Sequence, residues 1–320
     1  MPNPTVRNVE DARSLYLKEG CQAIIGFGGG SAMDCAKVVG ARIVRPNVPV
    51  KRMKGVLKVL HRLPFTVAVP TTAGTGSETT LAALVTDSET HHKFTINDFS
   101  LIPHAAVLDA EVTRSLPPRI TATTGMDALT HAVEAYIGRS TNKLTRAMAG
   151  EAVGLIARNL QTAYLSGGNL EARQHMLRAA YCAGIAFTRS YVGYVHGIAH
   201  SLGGQYGIAH GLANAVILPH MLRRYGVSCS AKLAHLAEIA GLVSPGTDER
   251  AAAERFIDWV ESMNESFGLP TGFSQIREED IPRMARHADT ESNPLYPVPL
   301  LMDRQELEAV YHELMRKEES

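Results

Sequence analysis

Cysteine is scarce in this chain of 320 residues, and its four cysteines form no recognisable pattern. Cys21, Cys35, Cys182 and Cys229 lie far apart, and no two of them have the CxxC spacing of a zinc or redox motif. A disulfide framework and a cysteine-ligated metal site are therefore both disfavoured. Reduced thiols in a cytoplasmic protein are the expectation.

The chain also has no net charge, because 32 Lys and Arg residues balance 32 Asp and Glu residues. Such a balance provides no electrostatic attraction for nucleic acid. No stretch reaches the roughly 18 consecutive apolar residues that a membrane-spanning helix needs. Residues 1–14 lack the apolar core of a signal peptide. We therefore expect neither nucleic acid nor a membrane as a partner.

The sequence consists of two halves that differ in the pattern of their apolar residues. Short apolar runs that predict strands lie at 22–27, 65–69, 81–86 and 105–108. Helical patterns at 10–19 and 31–43 alternate with these runs, and this alternation predicts a parallel α/β sheet. From Thr121 onward the strand signal ends, and eight helical windows predict an all-α second half.

The length favours two domains, since one hydrophobic core rarely serves more than about 250–300 residues. Leu116 is followed by Pro117 and Pro118, and two prolines disfavour a continuous element. We therefore predict an α/β domain at 1–116 and an all-helical domain at 117–320.

A glycine-rich segment from Gly26 to Ser31 follows the first predicted strand and opens the next predicted helix. Glycines let a phosphate approach the backbone, and a helix N-terminus offers free N–H groups. The segment predicts a pyrophosphate cradle, with a tight strand–helix turn as the alternative. No Asp or Glu lies between Pro46 and Lys58, where a Rossmann half would carry the acid that binds the ribose. A standard Rossmann half is therefore disfavoured.

A second loop, from Pro70 to Thr80, also follows a predicted strand and is rich in hydroxyl groups. No lysine follows Gly76, so the loop is not a P-loop, and Walker-type ATP chemistry is not indicated. A loop beside a bound dinucleotide is one interpretation, and a Thr/Ser-rich helix cap is the other.

Histidines and one carboxylate recur at helical spacing. Asp127 and His131 are four residues apart, as are His196 and His200, and His210 follows ten residues after His200. Residues at i and i+4 share a helix face, so each pair can chelate one ion. A single histidine on an apolar face is usually a core residue, but two such pairs and a third histidine favour a metal site.

Imidazole groups with one carboxylate suit Zn²⁺ or Fe²⁺ and do not suit Ca²⁺ or Mg²⁺. The segment HGIAH (196–200) lacks the glutamate of HExxH, so a zinc protease is not indicated. Five groups are candidates for about four ligand positions, and the spacing alone does not choose among them.

These motifs together resemble the iron-containing (group III) alcohol dehydrogenases. The resemblance extends over essentially the whole chain and rests on GFGGGSAMDCAK (26–37), PTTAGTGSE (70–78), LPPRITATTGMDALTHAVEAY (116–136), HGIAHSLGGQYGIAHGLANAVILPH (196–220) and NPLYPVP (293–299). It implies a dehydroquinate-synthase-like fold, in which an N-terminal α/β nucleotide domain precedes an all-α metal domain. It also implies a homo-oligomer, such as a dimer, that acts on a small-molecule alcohol or aldehyde.

The resemblance further implies the roles of individual residues. The implied metal ligands are Asp127, His131, His196 and His210. His200 is then left over and becomes the candidate for proton transfer, with orientation of a ligand as its alternative role. The implied cofactor contacts are Gly28, Gly29, Gly30, Ser31, Asp34, Thr71, Thr72, Thr80 and Lys93. The expected ion is Fe²⁺ with Zn²⁺ as the alternative, and the expected cofactor is NAD(H), with NADP(H) left open.

The implied reaction is reversible hydride transfer between a small primary alcohol or diol, or the matching carbonyl compound, and the nicotinamide cofactor. Relatives such as glycerol dehydrogenase and maleylacetate reductase are alternative activities. Family members normally carry about half a domain more before PNPTV (2–6), including the acid that binds the ribose. A cofactor-impaired or inactive fragment is therefore a further alternative.

Overall fold

The computed structural model describes residues 4–87 and 93–316. Its helices are α1 Val6–Lys18, α2 Gly30–Val44, α3 Pro118–Ile137, α4 Lys143–Leu165, α5 Leu170–Ser190, α6 Tyr194–Tyr206, α7 His210–Tyr225, α8 Ser230–Ile239, α9 Glu249–Ser266, α10 Ile281–Ser292 and α11 Arg304–Leu314. Its strands are β1 Ala23–Gly28, β2 Gly55–Val56, β3 Phe65–Pro70, β4 Ala82–Thr86, β5 Lys93–Asn97 and β6 Ala105–Ala106. The predicted α/β half followed by a helical half is therefore present.

The strands form two three-stranded sheets, so the prediction of one parallel sheet is wrong. The first sheet has the order β1-β3-β6 and is parallel throughout. The second has the order β2-β5-β4, with β4 antiparallel to β5. Strands β2 and β5 were not predicted, because β2 has two residues and the short alternation of KFTIN (93–97) does not stand out. Strand pairing of this kind depends on distant residues that periodicity does not report.

Helix α2 packs closely against β1, which fixes the direction in which the glycine loop opens. A Cβ atom at Gly26 would lie 3.1 Å from Cβ of Ala36 and 3.3 Å from Cα of Met33. Any larger residue at Gly26 would push the helix away from the strand. The glycine therefore places the N-terminus of α2 directly at the carboxyl end of β1, where ligands bind in α/β folds.

Helix α3 is the central element of the helical half, and it packs against α4, α5 and α7. Every residue from Gly125 to Ile137 is buried. Close packing against α4 requires Gly125, since a Cβ atom there would lie 2.3 Å from Cδ1 of Leu160. The large hydrophobic cluster of this half extends from Ala73 to Leu314, whereas a smaller cluster, Val9 to Leu101, fills the α/β half. The domain boundary at residue 116 stays a prediction.

Helix α10 was not predicted, because only four of its twelve residues are apolar, although those four have helical spacing. Ile281, Met284, Ala285 and Ala288 form its buried stripe, and the helix packs against α6 and α11. This packing positions Glu291 beside the histidines of α6. In the described part of the chain, no helix is long and apolar enough to cross a membrane.

Candidate metal centre

Three helices bring the four predicted ligands together. Asp127 and His131 project from one face of α3, His196 comes from the first turn of α6, and His210 is the first residue of α7. One ligand atom from each of these residues lies within 4.8 Å of the others. The i, i+4 spacing thus places Asp127 and His131 on one face of α3, as the sequence predicted. The packing of α6 and α7 beside α3 adds His196 and His210.

Close approach of α7 to α3 depends on a glycine beside His210. A Cβ atom at Gly211 would lie 2.5 Å from the carbonyl oxygen of Thr123 and 3.4 Å from Cβ of Asp127. A side chain there would therefore push the start of α7 away from α3. Gly211 in this way sets the 3.6 Å separation between His210 Nε2 and Asp127 Oδ1.

The amide of Asn214 marks the point on which the acceptor atoms converge. Its Nδ2 donates to Asp127 Oδ1 at 2.7 Å, and it lies 3.2 Å from His196 Nε2 and 3.1 Å from His210 Nε2. Nδ1 of His131 is buried without a hydrogen-bond partner among the described residues. Orphaned buried nitrogens are unfavourable unless something binds them. Three imidazoles and one carboxylate that face one point fit a divalent transition metal.

Glu134 holds His196 in one orientation from the side that faces away from the other ligands. The Glu134 carboxylate is buried, and its Oε2 lies 2.6 Å from Nδ1 of His196. It also accepts hydrogen bonds from the backbone N–H groups of Gly193, at 2.8 Å, and Val195, at 2.9 Å. Nδ1 of His196 therefore carries the hydrogen, and its Nε2 lone pair points toward Asp127 and His210, as in carboxylate–histidine–metal arrangements.

The environment keeps the three candidate ligand histidines neutral, which is the form that binds metal. Burial lowers the pKa of His131 and, more strongly, that of His196, where the neighbouring histidines lower it further. Burial also lowers the pKa of His210 to about 4. His131 is further fixed by Phe187, whose ring stacks on it with 4.3 Å between centroids. All three imidazoles are therefore neutral at neutral pH, and each has a nitrogen lone pair that a metal ion can bind.

The depressed pKa of His210 predicts an acid sensitivity of the metal-free protein. The ordinary pKa is 6.5 and the folded value is about 4, so protons bind the unfolded chain first as pH falls. The free energy of unfolding should therefore decrease between pH 6.5 and 4. Burial raises the pKa of Glu78 and Glu134 to about 7, so these two groups increase the free energy of unfolding as pH falls. The contribution of His210 is therefore isolated by comparing the wild type with a variant that lacks this histidine.

The measurement is urea unfolding of the metal-free wild type and of His210→Gln at several pH values. The wild type should lose more stability than the variant over this interval. Parallel pH profiles for the two proteins would contradict the assignment of a low pKa to His210.

His200 lies beside the four candidate ligands and belongs to a different group of contacts. Its Nδ1 lies 2.6 Å from Oε1 of Glu291, and the hydroxyl of Tyr296 donates to the same oxygen at 2.7 Å. The His200 ring stacks on His210 with 5.2 Å between centroids. Burial lowers the pKa of His200, but the carboxylates of Glu291, Glu134 and Asp127 together outweigh burial, so the pKa is raised.

The accessible side of the centre is the side on which His200 lies. The side chains of His200 and His210 are 44% and 38% exposed, whereas Asp127, His131 and His196 are buried. Among the five described side chains, these two exposed histidines are therefore the ones that an approaching small molecule can contact. Sequence reasoning did not identify Glu134, Asn214 or Glu291. The first two lie one turn beyond predicted ligands, at positions three after His131 and four after His210, and this spacing was the available signal.

The two predicted cofactor loops lie next to each other. The N–H of Thr71 donates to the carbonyl oxygen of Gly28 at 2.9 Å. A Cβ atom at Gly29 would lie 3.3 Å from Oγ1 of Thr72, and one at Gly30 would lie 3.0 Å from Oγ1 of Thr75. Gly29 caps α2 without a side-chain hydrogen bond, so no side chain fills the helix N-terminus at that position. We call this region the glycine corner; its residues are Gly28, Gly29, Gly30, Ser31, Thr71 and Thr72.

The side chains of Asp34 and Thr80 form hydrogen bonds with other groups of the protein. Oδ1 of Asp34 accepts from the Ser77 hydroxyl at 2.9 Å, and Oδ2 accepts from the N–H of Leu84 at 3.1 Å. The buried ammonium of Lys37 donates to the hydroxyls of Ser77 and Thr80, each at 2.9 Å. These contacts fix the second loop, and direct contact of Asp34 or Thr80 with a cofactor stays a prediction.

Lys93 is exposed and lies at the opposite end of the β4–β5 pair from Thr80. In that pair Lys93 faces Thr86, whereas Thr80 precedes Ala82, which faces Asn97. The structure therefore does not place Lys93 beside Thr80, and a cofactor that contacts both residues would have to extend along the strands.

Two family profiles match the chain. Residues 1–110 match iron-containing alcohol dehydrogenase, and residues 121–315 match the C-terminal region of the Fe-containing alcohol dehydrogenase family. Among individual proteins, 1,3-propanediol dehydrogenase of Klebsiella pneumoniae is 39% identical, over 98% of this chain and 81% of that protein. The NAD-dependent methanol dehydrogenase of Bacillus methanolicus is 38% identical, over 92% of this chain and 78% of that protein.

A solved structure of 1,3-propanediol oxidoreductase superimposes with a TM-score of 0.93 at 38% identity, covering 98% of this chain and 82% of the other. The alcohol dehydrogenase from Oenococcus oeni gives a TM-score of 0.92 at 35% identity, with the same coverage of both chains. Both the α/β half and the helical half are therefore shared with these proteins. The chain belongs to the iron-containing alcohol dehydrogenase family.

Proposed function

We propose that this protein is a metal-dependent alcohol dehydrogenase that transfers hydride reversibly between a small primary alcohol or diol and NAD(H). The observation that carries the proposal is the convergence of Asp127, His131, His196 and His210 on one point, open to solvent on one side. Membership of the family supports the reaction class. The names of its relatives, a propanediol dehydrogenase and an NAD-dependent methanol dehydrogenase, support the substrate class and the cofactor.

The four residues are proposed to hold Fe²⁺, with Zn²⁺ as the alternative ion. When bound, the ion would act as a Lewis acid toward the substrate oxygen. The protein provides the remaining functions. Glu134 orients His196, and Phe187 packs against His131. The glycine corner at the N-terminus of α2 is proposed to bind the pyrophosphate of the dinucleotide, because free N–H groups and the helix dipole attract anions there.

His200 is proposed to move the proton. Oε1 of Glu291 accepts a hydrogen bond from Nδ1–H of His200, which leaves Nε2 available to take a proton from the alcohol or to return it to the aldehyde oxygen. The ring borders the accessible side of the metal centre, where the substrate enters.

The proposal is tested by NADH formation from short alcohols, diols and glycerol, and by NADH oxidation with aldehydes and maleylacetate. We expect turnover with small primary alcohols or diols, its loss after exhaustive chelation, and its recovery with Fe²⁺ or Zn²⁺. Undiminished turnover in protein shown to be metal-free would contradict the proposal. Exclusive turnover of glycerol or maleylacetate would assign the chain to another activity of the fold.

The His200→Ala variant separates proton transfer from metal binding. General acid–base groups typically contribute about 10²–10⁴-fold, so we expect turnover to fall by about 10²-fold or more. The metal content should stay equal to that of the wild type, measured by elemental analysis. Loss of the metal from this variant would instead make His200 a ligand.

A further inference from the structure

A cavity of about 720 Å³ lies outside the metal centre, on the surface formed mainly by α4 and α8. We call it the basic groove; it is lined by residues that include Tyr136, Lys143, Arg146, Arg158, Arg178 and Ile239. Helix α3 contributes only Tyr136. At 3.6 residues per turn, Tyr136 projects about 140–180° around the helix axis from Asp127 and His131. The basic groove therefore does not share its lining with the metal centre.

The groove carries an excess of positive charge. Four of its lining side chains, Lys143, Arg146, Arg158 and Arg178, are cationic, and Glu151 is its one carboxylate. Glu151 is already bonded to Arg178, with 2.7 Å between Oε1 and Nε. Within the described residues, Lys143, Arg146 and Arg158 have no acidic partner. Three cations thus face a concave surface without a counter-charge.

Part of the lining is apolar, and we call this part the floor of the groove. It is formed by Ala147, Gly150 and Gly154 of α4 together with Ile239 of α8. A Cβ atom at Gly150 would lie 3.1 Å from Cδ1 of Ile239, and one at Gly154 would lie 3.2 Å from Nη1 of Arg158. The two glycines therefore allow Ile239 and the Arg158 guanidinium to lie close against α4. An apolar surface with guanidinium groups beside it suits a planar ring joined to an anionic group.

We propose that the basic groove binds a small phosphorylated molecule with a planar, apolar body, of the nucleotide class. The volume falls in the range of about 300–1,000 Å³ that small-molecule sites occupy. The planar fork of arginine matches phosphate oxygens, and the lining contains two arginines without an acidic partner among the described residues. The apolar floor provides contact area that inorganic phosphate alone cannot use. Such a ligand would bind in addition to the substrate and the redox cofactor.

The test is calorimetric titration of metal-loaded protein with ADP, in the presence of saturating NAD⁺ so that the glycine corner is occupied. We expect one further site for ADP, weaker binding of pyrophosphate, and weaker binding of adenosine. In the Arg146→Gln/Arg158→Gln variant, ADP affinity should fall at least 10-fold. Both arginines are exposed, so the variant should keep the melting temperature of the wild type.

A matched control is Arg250→Gln, which removes an exposed arginine of α9 that pairs with Glu254. This variant should bind ADP as tightly as the wild type. Equal affinity in the wild type and the double variant, or no ADP site beyond the one that NAD⁺ occupies, would overturn the proposal. Pyrophosphate binding as tight as that of ADP would also overturn it, because the apolar floor would then contribute nothing.

Discussion

Replacing His196 and His210 together by alanine is expected to remove the bound metal and to reduce turnover by about 10³-fold or more. The double variant leaves Asp127 and His131, and two ligands on one helix do not enclose an ion. A Lewis-acid ion typically contributes several kcal/mol to stabilisation of the transition state, and about 4 kcal/mol corresponds to a 10³-fold change in rate. The measurements are metal content by elemental analysis and the initial rate of NADH formation.

The matched control for this variant is His312→Ala. His312 is a half-exposed histidine of α11 that pairs with Glu278, away from the candidate ligands. This variant should retain both metal and turnover. Full metal occupancy in the His196→Ala/His210→Ala variant would contradict the ligand assignment, whatever the effect on turnover.

The Glu134→Gln variant should weaken metal binding without removing any ligand. An amide has one acceptor oxygen, so it cannot accept from the N–H groups of Gly193 and Val195 and from Nδ1 of His196 together. At least one buried donor is left unpaired, which costs about 1–3 kcal/mol of stability. Mutation of such outer partners typically lowers metal affinity about 10–100-fold. Competition with a chelator measures this change.

Glu261→Gln is the control, because Glu261 forms an exposed ion pair with Arg223. Its loss should change metal affinity less than twofold, since exposed pairs contribute about 0–1 kcal/mol even to folding. Wild-type metal affinity in Glu134→Gln would show that His196 keeps its orientation without the carboxylate. The role given to Glu134 would then be wrong.

The cluster of candidate metal ligands could be predicted from local spacing, and the family resemblance selected four of its five groups. Asp127 and His131 share a helix face through the i, i+4 spacing alone, and His196 and His210 fall within fifteen residues in a segment with a strong family resemblance. The structure brings all four together as expected. Burial of a polar group is acceptable only where a partner exists, so four such groups in apolar segments indicate a shared partner.

The outer contacts could not be predicted, because they depend on distant pairings. Glu291 lies 91 residues from His200 along the chain, and Glu134 lies 62 residues from His196. Helix α10, which carries Glu291, has few apolar residues and was absent from the predicted elements. Lys37 also escaped prediction, although its buried ammonium binds Ser77 and Thr80, about 40 residues away. Glu134 had one local signal, its position three residues after His131, whereas nothing local in the sequence indicates the role of Glu291.

The α/β half was predicted less completely than the helical half. Four of its strands were identified from apolar runs, but the split into two sheets was not, because the partner of each strand is set by tertiary contacts. The glycine corner and the threonine loop do lie together, which supports the proposed pyrophosphate site. The contacts of Asp34, Thr80 and Lys93 with the cofactor stay predictions.

The central claim, one ion held by Asp127, His131, His196 and His210, is tested most directly by anomalous diffraction from crystals of the iron-reconstituted protein. We expect a single peak at the iron absorption edge, between Oδ1 of Asp127 and the Nε2 atoms of His196 and His210. Iron bound at one equivalent but giving its peak elsewhere, or with His200 in place of one of the four residues, would contradict the account.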